Sequence, residues 1–83
     1  MYNLFVIVKV KDNKIQGYLY ETHSGRYIIN KESANVCFNT PESAINFMHN
    51  NSSKMSSCIK DDEQFIVINT KTGLSIRDGV YDR

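Results

Sequence analysis

The chain has 83 residues and a mass of 9.6 kDa, enough for one hydrophobic core and no second domain. Its hydrophobic share of 41%, with 11% aromatic and 23% charged residues, excludes the disordered and fibrous classes. A formal net charge of +1 and a pI near 7.8 argue against the strongly basic surface that nucleic-acid binders carry.

Tyr2 to Lys11 reads as a strand: Leu4, Val6, Val8 and Val10 alternate to one face, and Phe5, Ile7, Lys9 and Lys11 to the other. Its first half is apolar on both faces, which suits a central position in a sheet. Asp12 and Asn13 tolerate the left-handed backbone of a tight hairpin. The return strand, Ile15 to Glu21, sets Gln16, Tyr18 and Tyr20 against Ile15, Gly17 and Leu19. His23-Ser24-Gly25 makes the next turn, into a third strand from Arg26 to Lys31 with Tyr27 and Ile29 on one face and Ile28 on the other.

Ser33 to Phe38 fits either a bulged continuation or a separate short strand. Thr40-Pro41-Glu42 then supplies an N-cap hydroxyl, a proline at the first helical position and an acid at the positive end of the helix dipole. The spacing predicts a helix from about Pro41 to His49, turning Ala44, Ile45, Phe47 and Met48 to the sheet and stopping at Asn50-Asn51. From Ser52 to Glu63 the chain is polar apart from Met55, Cys58 and Ile59, which predicts a mobile loop or one short extra turn. Gln64 to Thr70 is a strand, Lys71-Thr72-Gly73 turns it, and Leu74 to Arg77 pairs back before a turn at Asp78-Gly79. The expected fold is therefore α+β: a single antiparallel sheet of four to five strands with one helix on one face, in the order β-β-β-α-β-β, forming one domain over residues 1–83.

Charge is segregated along the chain. Residues 1–31 balance to +3 through Lys9, Lys11, Lys14, Arg26 and Lys31, whereas residues 32–63 balance to −3, with Asp61, Asp62 and Glu63 adjacent. Such a division fits a basic sheet and an acidic helical edge, or simply mixed solvated charge. The longest apolar run, Leu4 to Val8, is five residues, too short for a membrane span. Without a basic leader and cleavage pattern the expected compartment is the cytoplasm, where Cys37 and Cys58 remain free thiols.

No constellation in the chain names a reaction. Cys37, Cys58, His23 and His49 are scattered without metal-ligand spacing, so we expect no metal and no cofactor. The four glycines stand singly, which excludes a glycine-rich phosphate loop. Asp61-Asp62-Glu63 lacks the alternating oxygens of a calcium loop and reads as a solvated entry to the next strand. A small enzyme built on a cysteine and a histidine is one alternative.

A second alternative rests on Phe38-Asn39-Thr40-Pro41-Glu42-Ser43-Ala44. Read as F-x-T-x-E-x-A, this stretch is similar to the last-strand-to-helix junction of three-stranded-sheet DNA-binding domains, found in plant ethylene-response factors and in the arm-binding region of some phage-type integrases. The resemblance covers about seven residues and implies a sheet laid in the major groove and buttressed by one helix. The chain departs from that pattern in having few arginines, with tyrosines at the positions expected to be basic. The same junction also resembles that of small bacterial domains of unknown function, which imply no activity.

The reading we favour from the sequence is a non-enzymatic module that binds another protein. Tyr18, Tyr20 and Tyr27 on adjacent strands, with Arg26 beside them, are the residue types that anchor interfaces, and Lys9 and Lys11 add positive charge. Their tyrosines fit a cross-strand aromatic ladder equally well. Abundant Asn, Ile, Lys and Ser suggest an AT-rich coding genome, hence an inhibitor or regulator carried by a phage or mobile element against a bacterial host protein. The apolar character of both strand faces further suggests a homodimer.

Overall fold

The computed structural model describes residues 4–71 and the backbone of residues 75–76. Its strands are β1 (Phe5–Lys11), β2 (Lys14–Glu21), β3 (Tyr27–Asn30), β4 (Cys37–Phe38), β5 (Gln64–Asn69) and β6 (Ser75–Ile76). Between β4 and β5 lie α1 (Pro41–Asn50), a single turn α2 (Ser52–Met55) and a 3-10 turn at Ser56–Cys58. The sheet is antiparallel in the order β3-β2-β1-β5-β6, with β4 attached to β1. The expected α+β architecture is thus the observed one. The undecided stretch before the helix is a separate two-residue strand, β4. The polar stretch after the helix includes the extra turn α2. The expected turn at Asp78-Gly79 lies outside the described residues.

Local signals fix several joints. Asp12 and Asn13 take positive φ values of 54° and 64°, forming a two-residue hairpin loop whose backbone twist matches the flanking strands. Thr40 caps α1: its side chain accepts from the Ser43 N–H at 3.2 Å, Pro41 occupies the first turn and Glu42 faces the dipole. The helix ends where Asn51 returns both its backbone and its side-chain N–H to the Phe47 carbonyl, at 3.0 and 2.8 Å.

β1 is the spine. One edge pairs with β5 from Phe5 to Val10; the other is shared, with β2 along Val8 to Lys11 and β4 along Phe5 and Val6. Where β2 peels away, the Asn35 side chain fills the notch. Its carbonyl accepts from Glu21 N–H and its amide donates to Glu21 C=O, both at 2.8 Å, as a neighbouring strand would.

The register of β2 corrects one expectation. Lys9 faces Gly17 but Val10 faces Ile15, so Gln16 is an extra, bulged residue. Directly opposed residues share a face, and Ile15 therefore lies with Val10 and Tyr18 rather than with Gly17 and Leu19. A bulge is a property of the pairing and leaves no mark on the strand's own alternation.

Two cores result. On the helix side, Phe5, Ile7, Leu19 and Val67 meet Ala44 and Met55, with Tyr27, Ile29, Phe38, Ile45, Phe47, Met48 and Phe65 packed around them. On the other side Val6, Val8, Val10 and Ile68 are buried together, with Tyr18, Ala34 and Ile66 against them. Met55 is only 2% exposed, so the turn after α1 is anchored to the core rather than loose.

Candidate functional site

An open groove of about 840 Å³ runs between β3 and the turns that follow α1. One wall is Thr22, Ser24, Gly25, Arg26 and the strand Tyr27-Ile28-Ile29; the other is Lys54, Ser57 and Cys58. The first wall is shaped by the β2–β3 turn. Thr22 N–H donates to the Arg26 carbonyl at 2.9 Å, Thr22 Oγ1 accepts from Arg26 N–H at 3.2 Å, and Gly25 closes the turn at φ 83° with its N–H on the Thr22 carbonyl. This conformation suits glycine because it has no Cβ.

The second wall is tied to the first by the Cys58 thiol, which donates to the Tyr27 carbonyl at 3.0 Å. Beneath, the Tyr27 ring meets Phe47 edge to face at 5.7 Å and 80°, and Phe47 meets Phe38 at 5.2 Å. Burial, and then the neighbouring Glu21 carboxylate, raise the Tyr27 phenol above its ordinary value, so it stays neutral. Among the described residues, Arg26 and Lys54 form no ion pair and no acid lines the groove.

The six candidate residues divide among three places. Arg26 and Tyr27 line the groove. Tyr18 packs on the helix-free core, and Tyr20, two residues on, shares that face with its cross-strand partner Ile28. Tyr27 thus stands across the sheet from the other two tyrosines, and no single aromatic ladder joins all three. Lys9 and Lys11 lie at the far end of β1, engaged with acids: Lys9 Nζ is 3.4 Å from Glu63 Oε1 and Lys11 Nζ is 3.3 Å from Asp62 Oδ2. Asp62 and Glu63 of the acidic triplet therefore clasp β1.

Glu63 Oε1 also accepts the Lys60 N–H at 2.9 Å. This bond, more than the charge of Lys9, holds the Glu63 carboxyl below its ordinary range against the opposing effect of its burial.

Lys54 and Ser57 were missed by sequence reasoning, which read Cys58 as a free thiol and not as part of a groove. The i, i+3 and i+4 spacing of the three does put them on one side of a helical turn, and that is the pattern that could have found them. Both cysteines are free, Cys37 exposed and Cys58 half-buried. Among the described residues no three His, Cys, Asp or Glu side chains converge as metal ligands, and no helix is long and apolar enough to cross a membrane. No protein-family model, no curated protein and no solved structure matches the chain.

Proposed function

We propose that the protein is a non-enzymatic interaction module and that a partner protein docks in the groove beside β3. The observation that supports this reading is the coincidence, in one concave surface, of an edge strand, two cations that form no ion pair among the described residues and a half-buried tyrosine. Concavity desolvates whatever enters, Tyr27 offers a rigid anchor held by Phe47, and Arg26 supplies a planar multi-donor group. The DNA alternative is the less favoured reading, since Lys9 and Lys11, two of the sheet's cations, already face Glu63 and Asp62. An inhibitor or regulator from a phage or mobile element acting on a bacterial host protein is the cytoplasmic setting that agrees with the residue usage.

The test is capture from a low-GC bacterial lysate on immobilised protein, in parallel with a Ser57→Trp variant that fills the groove from its exposed wall. Proteins retained through high salt by the wild type and lost by the variant support the reading. Nucleic acid released steeply by salt, or proteins held equally by both, overturns it.

A further inference from the structure

We infer that the occupant of the groove is an extended, acidic segment of the partner, which adds a strand to the open edge of β3; this rests on the docking reading above. Three observations carry it. The first is the direction of the β3 backbone. Thr22 N–H donates to Arg26 C=O, so the next pair along, Glu21 with Tyr27, is of the non-hydrogen-bonded kind, and Tyr20 with Ile28 is bonded. The alternation turns the N–H and C=O of Tyr27 and Ile29 away from β2. The Tyr27 carbonyl confirms the direction by meeting Cys58 on that side.

The second is that this edge is unfinished. Among the described residues, none takes the Tyr27 N–H or the N–H and C=O of Ile29, while both residues line the groove. Two like-facing residues on a strand lie about 6.8 Å apart, the repeat at which an added strand presents its own bonded residues. Proteins commonly cover, charge or shorten such an edge. Here it is short and covered only at the Tyr27 carbonyl, by Cys58, with a cation at either wall.

The third is charge. Arg26 and Lys54 border the groove on its two walls, without an ion pair and without an acid in the lining among the described residues. The Glu21 carboxylate is close enough to act on the Tyr27 phenol but lies on β2, outside the lining. An entering strand is therefore met by positive potential on both sides, and carboxylates on it satisfy two groups that nothing in the described chain satisfies.

The experiment is selection of a random twelve-residue peptide library on the immobilised full chain, followed by fluorescence anisotropy with the enriched peptides synthesised and labelled. The expected peptides carry Asp or Glu around a proline-free core. Reversing both cations, as Arg26→Glu with Lys54→Glu, is expected to weaken them by at least about tenfold, since two attractions become repulsions. N-methylation of alternate core amides in one register, and not in the other, is expected to abolish binding, and the Tyr27 and Ile29 amides are expected to shift in nitrogen-proton spectra of the complex. Peptides that lose binding to Ser57→Trp but are neutral or basic, or tolerate N-methylation in both registers, overturn the acidic added strand while leaving groove docking standing. Failure to enrich any peptide, or binding that survives Ser57→Trp, overturns both. Circular dichroism of each variant confirms that the fold is retained.

Discussion

A Cβ at position 17 would lie 2.5 Å from Ile29 Cγ2 and 2.9 Å from the Asn30 carbonyl oxygen. The Ile29 methyl can turn aside, but the carbonyl belongs to the backbone of β3, so the strand itself must move. Gly17→Ala is therefore expected to lower stability by about 1–3 kcal/mol, the range of overpacked interiors, read from the midpoint of urea unfolding. An unchanged midpoint would mean that β3 does not approach β2 this closely. Glycine at 17 was visible in the sequence, but its reason was not, because the close neighbour lies on another strand. The same holds at Glu63. Its neighbours Asp61 and Asp62 suggested a solvated run, and the lysine it grips is brought up by the fold. Its folded-state pKa is lowered, so the unfolded chain binds the proton more readily across the carboxylate range. Stability from this group is thus present above the ordinary glutamate pKa and is lost as pH falls through the lowered one. Acid titration of the unfolding free energy is expected to show a shallower fall in Glu63→Gln than in the wild type; identical slopes would show that the clasp contributes nothing.

At the scale of elements, the joints written in adjacent residues were readable and the ones made by pairing were not. The Asp12-Asn13 loop and the Thr40-Pro41 cap each need nothing beyond their own few residues. The bulge at Gln16 depends on how β2 is laid against β1, and the sequence alternation accordingly put Ile15 on the wrong face. The groove has the same origin, its walls coming from a turn after β2 and a turn after α1. Helix α1 connects the two regimes, since its cap is local and its packing is not. Phe47 meets Tyr27 edge to face and Phe38 at a tilt, so it supports the groove wall as well as the core. Phe47→Ala is expected to cost about 3 kcal/mol, the low end for aromatic truncation because the ring is only half-buried. Thr40→Ala is expected to cost about 1 kcal/mol through the Ser43 N–H it leaves uncapped. Thermal unfolding followed at a helix wavelength separates the two, and equal losses would mean that Phe47 is not a core residue.

For the whole molecule, the question is how much apolar surface one copy leaves uncovered. The sequence shows two apolar faces on β1 and β5 and a single helix, which by itself calls for a second copy. Within the chain, however, Val6, Val8, Val10 and Ile68 are at most 7% exposed, so the centre of the helix-free face is already buried. Among the described residues, what remains lies around its margin. Ile15 is 49% exposed, Ile28 42% and Leu4 38%, and strand alternation and the bulged register turn all three to the helix-free side. A homodimer proposed from this surface would pack these margins and Tyr20 against their two-fold mates, meeting the β3 groove at Ile28, which also lines it. Sedimentation equilibrium at micromolar concentration is then expected to give twice the 9.6 kDa chain mass. Changing Ile15 and Ile28 together to Lys is expected to return the protein to single copies with an unaltered circular dichroism spectrum, because neither residue belongs to the buried cores. A mass of 9.6 kDa at every concentration would show that these three side chains are scattered surface residues and that one copy is complete.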